Sequence, residues 1–291
     1  MRFPSGQAFR EQRNHALTIF GMSGVGKTTV AGLLQEHDWF HYSVDYRIGT
    51  RYMGERIVDN FKREAMKVPF LRQLLRSDSI DIRSNLTFNN LSPLSTYLGK
   101  PGNEAEGGIA FDEYRRRQAQ HRDAEIRALL DVPEFIERAG DIYGYSHFIC
   151  DSGGSLCEVV DPDDANDPVL QSLAQNTVLV YIAGNAEHTR TLVERFRRDP
   201  KPMYYEPAFL ATKWAEYKAL KGVRDDGAVD PDDFAVWGFA ELLQHRIPKY
   251  EAIAQRYGYT IDMEDIPRIT GERGFLDLLA MSMDQRGQPQ S

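Results

Sequence analysis

The chain has 291 residues, 42% of them hydrophobic and 27% charged, with a net charge of −8 at neutral pH. That length admits one large domain or two small ones with a buried core, and the composition is that of an ordinary globular protein. No apolar run approaches the roughly 20 residues a membrane-spanning helix needs, and the acidic balance argues against a nucleic-acid duplex as main partner, because phosphate contacts need clustered Lys and Arg.

Residues 1–14 read as a polar N-terminal tail with no apolar stretch resembling a secretory signal, so the expected location is cytoplasmic. Cys150 and Cys157 are the only cysteines. They lack zinc-ligand spacing, and a buried, reduced, structural role is the expectation for both.

Leu17-Thr18-Ile19-Phe20 is a short apolar run stopped by Gly21, which predicts a buried strand. From Lys27 the pattern turns helical, with Val30, Leu33 and Leu34 on one face. Further strands are predicted at Phe40–Asp45, His147–Cys150, Val178–Ile182 and Tyr259–Met263. Helical spacing recurs at Leu192, Val193 and Phe196, and again at Tyr250, Ile253, Ala254 and Tyr257, with Gly258 as the expected C-cap. Strands alternating with helices imply an α/β fold, three-layered, with a mainly parallel five-stranded sheet.

The expected organisation is a single domain over 15–291 with insertions at about 51–106 and 203–233. The first carries Phe70, Leu71, Leu74 and Leu75 at helical spacing and ends in Gly99-Lys100-Pro101-Gly102-Asn103, which reads as a mobile loop. The second carries Trp214 and Tyr217 and the acidic turn Arg224-Asp225-Asp226-Gly227. The acidic stretch Glu158–Asp167 reads as a solvated loop.

Gly21-Met22-Ser23-Gly24-Val25-Gly26-Lys27-Thr28 satisfies G-x-x-x-x-G-K-[ST] between a predicted strand and a predicted helix, the context a phosphate-binding loop requires. The glycines let successive N–H groups converge on a phosphate without Cβ clashes, and the helix N-terminus adds positive potential. Gly21, Ser23, Gly24, Val25, Gly26, Lys27, Thr28 and Thr29 are therefore the candidate nucleotide-binding set. Lys27 is expected at the β- and γ-phosphates of ATP or a related triphosphate, and the Thr28 hydroxyl on Mg²⁺.

Several later segments follow this loop in order. They are Ser43-Val44-Asp45-Tyr46-Arg47-Ile48, Phe148-Ile149-Cys150-Asp151-Ser152-Gly153-Gly154-Ser155, an arginine-rich helix with Arg190, Arg195, Arg197 and Arg198 before Lys201-Pro202, and Arg246-Ile247-Pro248-Lys249-Tyr250. Together they resemble the P-loop kinases of small metabolites and nucleotides, shikimate kinase most of all.

The resemblance implies that Asp45 orients an acceptor hydroxyl, and Ser43 stands where the family has a first aspartate that helps hold magnesium. Asp151 occupies a Walker B-like position and is the candidate metal ligand beside Thr28, or else it caps the turn at Ser152. Gly153 and Gly154 would admit an acceptor to bare backbone, or serve a tight turn. The arginine-rich helix resembles the family's lid, with Arg195 and Arg198 as the candidates that meet the transferred phosphoryl group, or it is a solvated basic face. Arg246 corresponds to an arginine that binds the substrate's anionic group, and it precedes a proline expected to break the helix. Asp265-Ile266-Pro267-Arg268 lies where relatives contact adenine, which makes Pro267 a nucleotide candidate. Arg115, Arg116 and Arg117 either resemble a substrate-binding segment or form plain surface.

The leading expectation is a Mg²⁺-dependent ATP phosphotransferase acting on a small anionic metabolite or nucleotide. The alternatives are an ATPase or ATP-binding regulatory protein that docks a protein partner through its insertions, and a polynucleotide kinase, which the acidic balance disfavours.

Overall fold

The computed structural model describes residues 1–286. In chain order it contains α1 (Gly6–Arg10), β1 (Ala16–Phe20), α2 (Lys27–Gln35), β2 (Trp39–Ser43), α3 (Val44–Arg47), α4 (Gly54–Ala65), α5 (Pro69–Arg76) and α6 (Ser92–Leu98). There follow α7 (Phe111–Leu130), α8 (Val132–Asp141), β3 (His147–Asp151), α9 (Leu156–Val159), α10 (Pro168–Asn176) and β4 (Val178–Ala183). The remainder is α11 (Ala186–Arg198), α12 (Pro207–Lys221), α13 (Pro231–Tyr257), β5 (Gly258–Asp262) and α14 (Gly271–Arg286). Among the described residues no helix is long and apolar enough to cross a membrane.

The chain divides into two compact units, one of Met1–Val44, Ile126–Asp199 and Gly238–Ser291, the other of Asp45–Glu125 and Pro200–Trp237. The first is an α/β unit built on one five-stranded sheet in the order β2–β3–β1–β4–β5. Every pairing in it is parallel. A parallel sheet buried on both faces needs near-continuous apolar strands, and β1 is buried at all five positions.

Alternate side chains of β2 show the two covering layers. Trp39 Nε1 donates to Glu272 of α14 at 2.6 Å, whereas Phe40 and Tyr42 turn the other way onto Phe135 of α8, with ring centroids 6.3 and 4.8 Å away. Helices α2 and α14 pack together on the first face, and α8 and α10 on the second. The aromatic column Phe20–Tyr181–Tyr250, with centroids 5.5 and 5.6 Å apart, seats the end of α13 against the centre of the sheet. Such ring pairs contribute about 0.5–1.5 kcal/mol each beyond their buried area. Because β3 and β4 lie on opposite sides of β1, the strand order reverses there. Ligands of open α/β sheets bind at the carboxyl ends of strands at such a reversal.

The second unit is helical. It holds residues 51–106 and 203–233, and its core is aromatic: Trp214 stacks on Phe111 at 4.4 Å and meets Phe234 edge-on at 4.8 Å. Tyr217 Oη donates to Asp233 at 2.6 Å. Arg117, on the buried face of α7, reaches Asn60 Oδ1 at 3.1 Å and Glu113 at 2.7 Å. Arg116 and then Arg117 pull the Glu113 carboxyl down to about 2.

Several local expectations are corrected. Strand β2 stops at Ser43, so Asp45 lies in the first turn of the short helix α3 and not at a strand end. The stretch Gly99–Asn103 is pinned by backbone bonds from Gly102 N to Ile109 O and from Asn103 N to Val229 O, at 3.0 and 2.8 Å, which is not the arrangement of a mobile loop. Pro248 sits inside α13 without ending it. The missing proline N–H costs one backbone bond, and the buried Tyr250, Ile253 and Ala254 just beyond it anchor the continuing helix. Gly258 follows the last residue of α13 and opens β5 without the positive φ of a left-handed cap, and a Cβ there would lie 2.4 Å from Leu179 O on the neighbouring strand. The stretch Glu158–Asp167 is not uniformly solvated: Glu158 is 2% exposed, and Asp167 is buried as the N-cap of α10.

Candidate functional site

The glycine-rich loop leaves β1 and enters α2 at the strand reversal. Gly21, Gly24 and Gly26 take φ of +141°, +78° and +102°, conformations that residues with a Cβ resist. At Gly26 the space is closed as well, since a Cβ would stand 3.0 Å from Ile266 Cγ2. Val25 is buried and holds the loop to the core, while Ser23, Thr28 and Thr29 are not buried. Lys27 is 8% exposed, and its ammonium donates to Gly21 O and Met22 O at 2.8 Å each. The loop thus keeps its cation on its own carbonyls at the amino end of α2, where backbone N–H groups already favour an anion.

Asp151 ends β3 in register with Ile19 on one side and Ser43 on the other. Its Oδ2 accepts from Thr28 Oγ1 at 3.3 Å, and its Oδ1 accepts from Gly153 N at 3.1 Å. Asp151 therefore caps the following turn, and its other oxygen lies beside the P-loop hydroxyl. The nearby β2 residue His41 has its pKa lowered by burial against the opposing pull of Asp151.

A Mg²⁺ ion takes hard oxygen ligands and keeps several waters, so it typically uses one or two protein oxygens together with substrate phosphates. The hydroxyl of Thr28 and the carboxylate of Asp151 form such a set. Among the described residues no group of three or more His, Cys, Asp or Glu could hold a metal ion.

The turn after β3 carries Gly153 at φ +72° and Gly154, whose Cβ position would be 3.9 Å from Ser23 N and so faces the P-loop. Arg246 is 5% exposed, and its guanidinium donates to Glu158 Oε1 at 3.1 Å and to Gly154 O at 2.7 Å. It is a fixed, paired charge beneath the turn. Cys150 and Cys157 are buried thiols. Burial pushes Cys157 up to about 12, against the pull of Arg246, and raises Cys150 further with Asp151 beside it. Neither is a thiolate at neutral pH.

Helix α11 starts beside the P-loop, with Asn185 as its N-cap. His188 Nε2 lies 3.1 Å from Ser23 O, and a Cβ on Gly24 would meet His188 Cε1 at 3.2 Å and Leu192 Cδ2 at 3.5 Å. Arg195 falls about two turns beyond His188 on that same face, roughly 10 Å along the axis, whereas Arg198 is turned off it. Both arginines are exposed. Ile266 abuts Gly26, which puts the short turn Ile266–Arg268 next to the loop with Pro267 exposed at its surface. Asp45 belongs to the second unit.

The structure thus gathers the P-loop, Asp151, Gly153, Gly154, Pro267 and the start of α11 within the first unit. Sequence reasoning missed His188. The signal that could have found it is its position one face-repeat before Arg195 in the helix after β4.

No protein-family model matches the chain, and no curated protein matches it. Among solved structures the chain is similar to shikimate kinase from Bacteroides thetaiotaomicron, at 14% identity and a TM-score of 0.38, over 94% of this chain and 95% of that one. It is likewise similar to shikimate kinase from Acinetobacter baumannii in complex with shikimate, at 16% identity and a TM-score of 0.38, over 96% and 95% of the two chains.

Proposed function

We propose that the chain binds ATP with Mg²⁺ and transfers the γ-phosphoryl group to a small acceptor. The observation that carries this reading is the contact between the P-loop hydroxyl of Thr28 and the carboxylate of Asp151, 3.3 Å apart at the strand reversal. Asp151 also caps its own turn through Gly153 N, but a turn cap needs no hydroxyl partner in the P-loop, whereas a divalent cation arriving with a nucleotide needs both oxygens.

In this account the N–H groups from Gly21 to Thr29 hold the triphosphate, and Lys27 leaves its loop carbonyls to neutralise the β- and γ-phosphates. Thr28 and Asp151 hold the cation, which when bound draws charge from the phosphate oxygens. Arg195, on the face of α11 that touches the P-loop, supplies positive charge to the equatorial oxygens as they develop it, with Arg198 as the less favourably turned candidate. Asp45, two residues beyond Ser43, is assigned the acceptor hydroxyl, which it orients and whose proton it receives. Pro267 is assigned to the edge of the base.

The direct test incubates the protein with γ-labelled ATP and a panel of hydroxyl- and phosphate-bearing metabolites. Acceptor-dependent label transfer supports the reading. ATP binding with no transfer to any acceptor sinks it.

One observation favours the second reading, an ATP-dependent regulatory protein that docks a partner. Helix α5 has no buried residue, and Phe70 on it is 68% exposed. Rapid turnover that depends on a small acceptor, with no partner present, would remove this alternative.

A further inference from the structure

The carboxylate that faces Thr28 is held from its other side by a chain of contacts that leads to Arg246. Asp151 Oδ1 accepts from Gly153 N at 3.1 Å. The next residue, Gly154, offers its carbonyl to α13, where it accepts from Arg246 Nη1 at 2.7 Å and from Tyr250 Oη at 2.6 Å. Arg246 Nε donates to Glu158 Oε1 at 3.1 Å, and Glu158 is itself 2% exposed.

Two buried donors one helical turn apart therefore converge on one carbonyl, and a buried carboxylate balances the charge of the stronger donor. An ionised donor makes a shorter and roughly twice stronger bond than a neutral one, and its burial is tolerable only when it is paired. A guanidinium that is 5% exposed, ion-paired to Glu158 and bonded to a backbone carbonyl is poorly placed to meet an acceptor anion.

We propose that Arg246 is a positioning residue. With Glu158 and Tyr250 it fixes the turn from Asp151 to Gly154, and thereby the direction of the Asp151 carboxylate toward the cation that accompanies the triphosphate. This assignment rests on the proposed function and replaces the anion-binding role that the family resemblance implies for Arg246. It also makes the specificity for the acceptor independent of this charge. Groups that orient a metal-binding residue from behind typically matter about 10- to 100-fold in metal affinity, and that is the scale expected here.

The test titrates ATP by calorimetry into the full chain, with Mg²⁺ and separately with a chelator, for the native protein and for Arg246→Met, Arg246→Lys and Tyr250→Phe. Arg246→Met is expected to keep the chelator-condition affinity within about twofold while losing about tenfold or more of the Mg²⁺ enhancement. Tyr250→Phe should lose less in the same direction, and Arg246→Lys should fall between native and Met. A native Mg²⁺ enhancement in Arg246→Met overturns the assignment. So does an equal loss with and without metal. Should Arg246→Met fail to fold, Tyr250→Phe decides alone, and an unchanged Mg²⁺ enhancement there overturns the assignment. A native chain with no ATP affinity in either condition overturns the proposed function and this assignment together, whereas native affinity with unaffected variants overturns only the latter.

Discussion

Thr28 and Asp151 come from segments far apart in the chain, yet the P-loop hydroxyl donates to the β3 carboxylate across 3.3 Å. The parallel register that sets Ile19 beside Asp151 puts the two at one end of the sheet. Replacing Asp151 by Asn keeps an oxygen for Gly153 N–H but removes the negative charge. The expected result is a loss of about tenfold or more in Mg²⁺-dependent ATP affinity, with metal-free affinity little changed. Calorimetry with and without chelator reads both numbers.

Lys27 donates to two loop carbonyls, so its removal should leave the fold standing while the phosphate site fails. A charge-assisted contact contributes about 1.5–3 kcal/mol, and Lys27→Ala should therefore weaken triphosphate binding by about 10- to 100-fold or more. Circular dichroism and melting should be near native. Unchanged affinity would refute the assigned role.

Arg195 and Arg197 are both exposed on α11, but only Arg195 continues the face that His188 and Leu192 turn to the P-loop. Arg195→Ala should lower turnover by at least about tenfold with little change in ATP affinity, because its charge meets oxygens that become negative in the transition state. Arg197→Ala should behave as native. Equal effects of the two would make the helix a general basic surface.

How much of this was legible in the sequence depended on whether the signal was local. The P-loop and the strands β1 and β4 could be read because a buried parallel strand is a continuous apolar run and the glycine spacing is self-contained. Glu158 could not be read. It heads an acidic stretch that looks solvated, and its burial follows from Arg246, 88 positions later in the chain. Pro248 and Gly258 carry local signals for ending a helix. Packing of Tyr250 on the sheet overrides the first, whereas α13 does end just before the second, where the close approach of Leu179 also leaves no room for a Cβ. Asp45 reads as a strand end in the sequence because the apolar pattern of β2 runs through Val44, where the chain in fact turns into α3.

That close approach gives a stability test. In Gly258→Ala the new methyl would sit 2.4 Å from Leu179 O, a backbone atom that cannot swing aside. The expected cost is about 1–3 kcal/mol, read as an earlier urea midpoint with unchanged slope. No loss of stability would mean that β4 and β5 separate more easily than their pairing implies.

His15 makes stability depend on pH. Burial first, then the neighbouring His147, push its pKa down to about 4, against the pull of Glu272. Its folded pKa thus lies below the unfolded value near 6.5, so the unfolded chain takes up the proton first. This contribution is complete above about pH 6.5, is lost as pH falls toward 4, and changes no further below that. Melting at pH 7 and pH 5 should show a drop for the native chain that is smaller in His15→Phe. An equal drop in both would remove His15 as its source.

The most direct test of the account is a calorimetric titration of ATP into the folded native chain in the presence of Mg²⁺, repeated with Lys27→Ala. Saturable binding that strengthens with the metal and largely disappears in the variant is the expected result. A native protein that gives no heat with ATP or any other nucleoside triphosphate, with or without metal, would contradict it.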